Sequence, residues 1–251
     1  MPEKKKGNVF FLLVTLICFG IAGKLIYDKL HDYAKTHEKY EDLKKEVISV
    51  DEKNFRHIDW EKFKDTDVIA WLECGDIDYP IVQGETNDTY LHHNYDGEYS
   101  FSGSIFMNSH NSKYFKDNNT IIYGHNMKSG EMFGILARYM SPDYGKKKEF
   151  YIYKPDGTIH IYKMYSVAPT VYNSIFYDYT FDTADDYEKY QEEIKKQSII
   201  DYSLDKNIER KMVTLSTCAS IGSAQGKRTV LVGMESEVVQ VQEPASWWLP
   251  E

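Results

Sequence analysis

The sequence predicts a mainly β fold, with helices at the N-terminus and one helix inserted late in the chain. Three observations carry this. Short β-branched or alternating apolar runs recur from Val68 to Val232, separated by turn residues. Aromatic residues make up 15% of the 251, mostly tyrosine, which suits half-buried strands. Two stretches, 28–50 and 182–200, replace the strand pattern with a helical period.

The chain opens on a short basic tail, residues 1–6. An uncharged run follows, Gly7 to Gly23, and extends to Tyr27 if Lys24 snorkels. At about 20 residues it is long enough to span a bilayer. Lys4, Lys5 and Lys6 before it predict a cytoplasmic N-terminus and an extracytoplasmic body, that is, a single-pass protein of the cell membrane. A cleaved signal peptide is the rival reading, because Gly20-Ile21-Ala22 has small-x-small character. Residues 28–65 read as a helical segment. Leu30, Tyr33, His37, Tyr40 and Leu43 form a narrow apolar stripe, and a second short helix is expected over 55–63.

The β-body is expected over 66–236. Val68–Leu72 and Ile77–Gln83 are strand candidates around a turn at Cys74-Gly75-Asp76, and Pro80 implies an edge or a bulge. Gly103–Asn108 and Thr120–Tyr123 follow. Glu131–Tyr139 is expected to be helical. Glu149–Tyr153 and Thr158–Val167 should pair as a hairpin around Pro155-Asp156-Gly157. Thr183 to Asp186 is a capping-box-like start for the inserted helix. The remaining residues, 237–251, are a tail whose Trp247 and Trp248 are expected to pack on the body.

Composition narrows the function. Net charge is −9, and because the first six residues are net basic the body is more acidic still, which argues against a nucleic-acid partner. Three cysteines, Cys18, Cys74 and Cys218, are too few for a disulfide-stapled domain. Cys74 reads as an inert core or turn residue. His92 and His93 read as surface histidines, with no acidic or cysteine cluster at metal-ligand spacing, so neither metal nor cofactor is expected.

The chemistry concentrates at the neck of one predicted hairpin. Val213–Cys218 and Arg228–Gly233 read as antiparallel strands around a small, polar loop. Cys218 and Arg228 would then meet at a sheet edge, and a guanidinium beside a thiol favours the thiolate. On position alone, a buried structural cysteine is the alternative. His125 follows a short apolar strand and Gly124, and it is the candidate proton partner. Tyr123 and Ser216 each lie two residues before a catalytic candidate and share its strand face, either lining a groove or packing.

Taken in order, Tyr123-Gly124-His125, Thr214-Leu215-Ser216-Thr217-Cys218 and Arg228, behind an apolar N-terminal segment, resemble the sortases, the Gram-positive cysteine transpeptidases. The inserted helix, Asp78–Gln83, Asn87-x-x-Tyr90-Leu91 and Gly103–Phe106 resemble class B. The resemblance implies a β-barrel of seven or eight mixed strands. It also implies a mechanism in which Cys218 cleaves a C-terminal sorting motif after Thr and forms a thioacyl intermediate. His125 would serve as acid and base, and Arg228 would stabilise the oxyanion. The implied partners are surface proteins bearing a sorting signal and a peptidoglycan amine that resolves the thioacyl. Asn87 would touch the sorting peptide. Ala219 departs from the acid that class B members often carry after the cysteine, so no role of that acid is carried over. A secreted cysteine peptidase acting on wall peptides and a non-catalytic tethered scaffold are the alternatives.

Overall fold

A computed structural model describes residues 3–52, 55–144, 149–217 and 226–248. Helix α1 (Glu3–Val47) is continuous, running through residue 27 without a break. Its apolar part is exposed, while further along Thr36, Tyr40, Leu43 and Val47 are buried against the body. Leu30, expected on the packed stripe, is exposed. By length and composition the helix could cross a membrane.

Strands β1 (Ile48–Val50) and β2 (Arg56–Ile58) form a small antiparallel ribbon. This replaces the first half of the helix expected at 55–63, and only Trp60–Phe63 winds, as a 3₁₀ turn. Arg56 is drawn into the strand by its fork–fork pair with Asp78 (2.7 and 3.1 Å).

The body is a closed eight-stranded mixed barrel. In chain order its strands are β3 (Val68–Cys74), β4 (Ile77–Val82), β5 (Ile105–Met107), β6 (Asn119–Gly124), β7 (Glu149–Tyr153), β8 (Thr158–Thr170), β9 (Met212–Thr217) and β10 (Arg228–Gln240). Around the barrel they run β10, β8, β7, β3, β4, β5, β6, β9, closing on β10. The β4–β5 and β6–β9 pairs are parallel, and the rest are antiparallel. Pro80 tolerates its place because β5 pairs only with Ile81 and Val82, so that side of β4 is an edge at residue 80.

The helix expected over 131–139 does not form. Met132 has φ of 50°, and a Cβ on Gly134 would lie 2.1 Å from the Met127 carbonyl oxygen, so the chain folds back instead. Only Leu136–Met140 winds, as a 3₁₀ segment. Helix α2 (Ala184–Lys196) starts on a Thr183 cap, whose hydroxyl accepts from the Asp186 backbone N–H.

Helix α2 explains why β9 is buried on both faces. Val213 and Leu215 point into the main core, while Met212 packs with Tyr187, Tyr190 and Ile194 of α2. Every residue of β9 is buried. The strand that leads to Cys218 is therefore fixed from both sides before it reaches the barrel rim. Cys74 is fully buried, with its Sγ 3.4 Å from the Tyr139 hydroxyl, as an inert core residue should be. In the tail, Trp248 is buried edge-on against Tyr114, with ring centroids 5.2 Å apart.

Candidate active site

Strand register brings the predicted catalytic segments to one end of the barrel. β6 and β9 run parallel, pairing Tyr123 with Ser216 and Gly124 with Thr217. His125 and Cys218 are the next residues in the sequence after Gly124 and Thr217. Residues 218–225, Cys218 and Ala219 among them, lie outside the described residues. β10 returns antiparallel to β9 and begins at Arg228.

Arg228 is held by several contacts. Its Nη1 donates to the carbonyl oxygen of Thr217 at 3.0 Å, and the Thr229 backbone N–H donates to the Thr217 hydroxyl at 2.8 Å. The guanidinium lies 5.9 Å from the ring centroid of Tyr123 and 6.0 Å from that of Tyr177. Those two rings are stacked, 6.2 Å apart and 17° from parallel. The Arg228 Nε is buried, with no hydrogen-bond partner among the described residues. A cation–π contact to two rings plus a directed N–H bond is a task for arginine rather than lysine.

His125 is half-buried, with Nε2 2.7 Å from the Leu91 carbonyl oxygen. A carbonyl only accepts, so Nε2 carries the proton and the neutral ring keeps Nδ1 as its basic nitrogen. Burial holds its pKa below the ordinary value of 6.5. The Leu91 bond opposes that shift, and His92 and Lys29 add to it.

The cleft beside these groups has a volume of about 300 Å³. Asn87 and Tyr123 lie in its wall. The Asn87 Oδ1 accepts from the Ser109 backbone N–H at 2.8 Å, which fixes the amide. Ser216 lies behind the wall. It is fully buried, 2.8 Å from the Tyr177 hydroxyl, so it supports the ring under Arg228.

Sequence reasoning missed His92, Tyr172 and Tyr177, which also line the cleft. His92 is half-buried rather than free on the surface: its ring centroid is 5.7 Å from that of His125, and its Nδ1 is buried with no partner among the described residues. Its neighbour His93 has Nδ1 2.9 Å from the Thr89 carbonyl oxygen. Tyr177 comes from the β8–α2 connection. Asn119 positions that connection by donating to the Phe176 and Asp178 carbonyls at 3.3 and 2.9 Å. A buried polar asparagine at the start of an otherwise apolar strand was the available signal.

The Sortase domain family model matches residues 73–236. The chain belongs to the sortase family. Among curated relatives, Sortase B of Listeria monocytogenes is 36% identical over 169 residues, covering 66% of this chain and 69% of that one. Sortase B of Staphylococcus aureus is 26% identical over 227 residues, covering 88% and 92%. Among solved structures, a Staphylococcus aureus sortase B–substrate complex superposes with a TM-score of 0.71 at 25% identity, over 84% of this chain and all of that one. Sortase B from B. anthracis, in complex with AAEK1, gives 0.70 at 26% identity, over 83% and 99%. This sortase is thus of class B, a cysteine transpeptidase built on the mixed barrel described above.

Proposed function

We propose that this sortase is held in the cell membrane by the first part of α1, with its barrel outside, and that it joins surface proteins to a cell-wall amine. Cys218 is the nucleophile. It attacks the carbonyl carbon of a Thr in a C-terminal sorting motif, and the tetrahedral oxyanion is met by the Arg228 guanidinium. The neutral His125 takes the Cys218 thiol proton at Nδ1 as the sulfur attacks and gives it to the leaving amine as the peptide bond breaks, leaving a thioacyl at Cys218. The acceptor amine then attacks this thioacyl, His125 takes its proton, and the thiolate leaves. Asn87 and Tyr123 contact the sorting peptide from the cleft wall, while Ser216 acts only behind it, through Tyr177.

The parallel pairing of Gly124 with Thr217, and the Arg228 bond to the Thr217 carbonyl, carry this reading. They fix the residues just before His125 and Cys218 side by side, with Arg228 on the same strand end. The relatives add support: one solved sortase B is a substrate complex, and another is complexed with a glycine tripeptide, which bears an amine. The test is product analysis by mass. The body lacking residues 1–27 is given a panel of sorting peptides, Asn-Pro-x-Thr and Ser-Pro-x-Thr types included, with and without glycine peptides. Amine-joined product, absent with Cys218→Ala, is expected. Free acid alone, even with amine present, would make the protein a peptidase.

A further inference from the structure

The Leu91 carbonyl that holds His125 belongs to a segment which α1 holds through residues 100–104. Residues 90–93 present four successive carbonyls. Three are taken by Ser100 and Ser104: Ser104 N–H donates to Tyr90 O (3.1 Å), Ser100 N–H to His92 O (2.9 Å), and the Ser104 hydroxyl to His93 O (2.8 Å). The fourth, Leu91 O, is left for His125 Nε2. Gly103 packs against this carbonyl so closely that a Cβ there would lie 2.5 Å from its oxygen.

The 100–104 segment is in turn fastened to α1. Asp32 accepts from the Phe101 backbone N–H at 2.9 Å and lies 3.4 Å from the Ser100 hydroxyl. The Thr36 hydroxyl is 3.0 Å from that of Ser100, with both residues buried, and the Tyr40 hydroxyl is 3.2 Å from that of Ser104. On the far side of the site, His37 of α1 lies 2.8 Å from Glu131, in the turn where Phe133 N–H donates to the His125 carbonyl at 3.0 Å. One helix therefore holds both segments that hold the histidine.

We infer that Asp32 and Thr36 of α1 are positioning residues for His125, acting through Ser100 and Phe101 on the Leu91 carbonyl to fix the Nε2–H tautomer and ring orientation. The inference rests on the reading that His125 moves the reaction's protons. Neither residue lies in the cleft wall, so their effect falls on turnover rather than on peptide binding. A carbonyl displaced from the imidazole leaves either nitrogen free to carry the proton, and the basic nitrogen no longer faces one fixed direction.

The experiment compares Thr36→Val, Asp32→Asn/Thr36→Val and Thr36→Ser in the body lacking residues 1–27, with Leu43→Ala as a control for loosened helix packing. Nitrogen-15 NMR of the histidine rings reads the His125 tautomer without any need for a substrate. Steady-state transpeptidation reads kcat and KM. The double variant is expected to lose the single Nε2–H form and to drop kcat roughly tenfold to a hundredfold at unchanged KM. Thr36→Ser, which keeps the hydroxyl, is expected to match the parent. Leu43→Ala is expected to lower Tm while leaving the His125 signature alone. If the double variant, still folded, keeps the His125 tautomer and kcat, or if Leu43→Ala shifts the tautomer equally, the inference is overturned. If the parent shows the Nε2–H form but His125→Gln turns over normally, the assignment of His125 to catalysis fails instead.

Discussion

Arg228→Lys separates charge from geometry at the proposed oxyanion site. In the parent, Nη1 is committed to the Thr217 carbonyl at 3.0 Å, and the guanidinium carbon lies 5.9 and 6.0 Å from the ring centroids of Tyr123 and Tyr177. In the proposed mechanism the second terminal nitrogen of the fork, Nη2, supplies N–H groups to the oxyanion. A lysine ammonium is a point charge on a flexible stem and cannot keep the Thr217 bond, the ring contacts and a donor aimed at the substrate together. Losing one preorganised oxyanion donor costs about 2.7–4 kcal/mol of transition-state stabilisation, or roughly 10²–10³ in kcat. The lost cation–π contact adds on the order of 0.5–1 kcal/mol per ring, which falls on the folded state and on the orientation of the head group. The assay is continuous cleavage of a fluorogenic sorting peptide, with Tm measured alongside. A fall of roughly a hundredfold or more in kcat, with KM shifted less than about threefold, is expected. Turnover within about threefold of the parent would remove the planar fork from the mechanism.

Three further expectations follow from the same contacts. His125 should titrate below 6.5 by NMR, and Lys29→Gln should raise its midpoint by removing a repelling charge. Since the unfolded chain takes up this proton at the higher pH, the same group should make stability decline as pH falls through about 6.5, which thermal melts at several pH values would show. Tyr177→Phe removes only the hydroxyl bonded to Ser216 and should cost about 1 kcal/mol of stability with little loss of kcat, whereas Tyr177→Ala also removes the ring under Arg228 and should cut kcat at least tenfold. Deleting residues 1–27 should leave a soluble, active barrel, because Asp32, Thr36, Tyr40 and Leu43, which bind the body, all remain. An insoluble or inactive product would show that the apolar part of α1 is needed for more than attachment.

The barrel and the placement of His125 and Arg228 were legible because they follow from local pattern. β-branched runs ending at Gly124 and Thr217 specify strands, and an antiparallel return brings Arg228 to the neck. The α2 start was legible from its Thr183 cap. What escaped the sequence depends on contacts between distant segments. The continuity of α1 was hidden because the charged stretch after residue 27 changes composition without changing helical period. His92 and His93 look alike in sequence, yet one turns to the cleft and the other to Thr89 O, a choice made by the fold of residues 89–104. Tyr177 carries no local sign of its role, which arises only when Asn119 fastens the β8–α2 connection across the rim. The Leu91 carbonyl is a backbone atom and has no signature at all.

The account stands or falls on Cys218 as the covalent centre. The most direct test is to mix the soluble body with a sorting peptide in the absence of amine, quench with acid, and map the adduct by tandem mass spectrometry. A thioacyl on the peptide containing Cys218, released by a glycine peptide and absent in Cys218→Ala, is the predicted result. Continued turnover in Cys218→Ala, or turnover with no adduct at Cys218 under conditions that trap the intermediate, would contradict it.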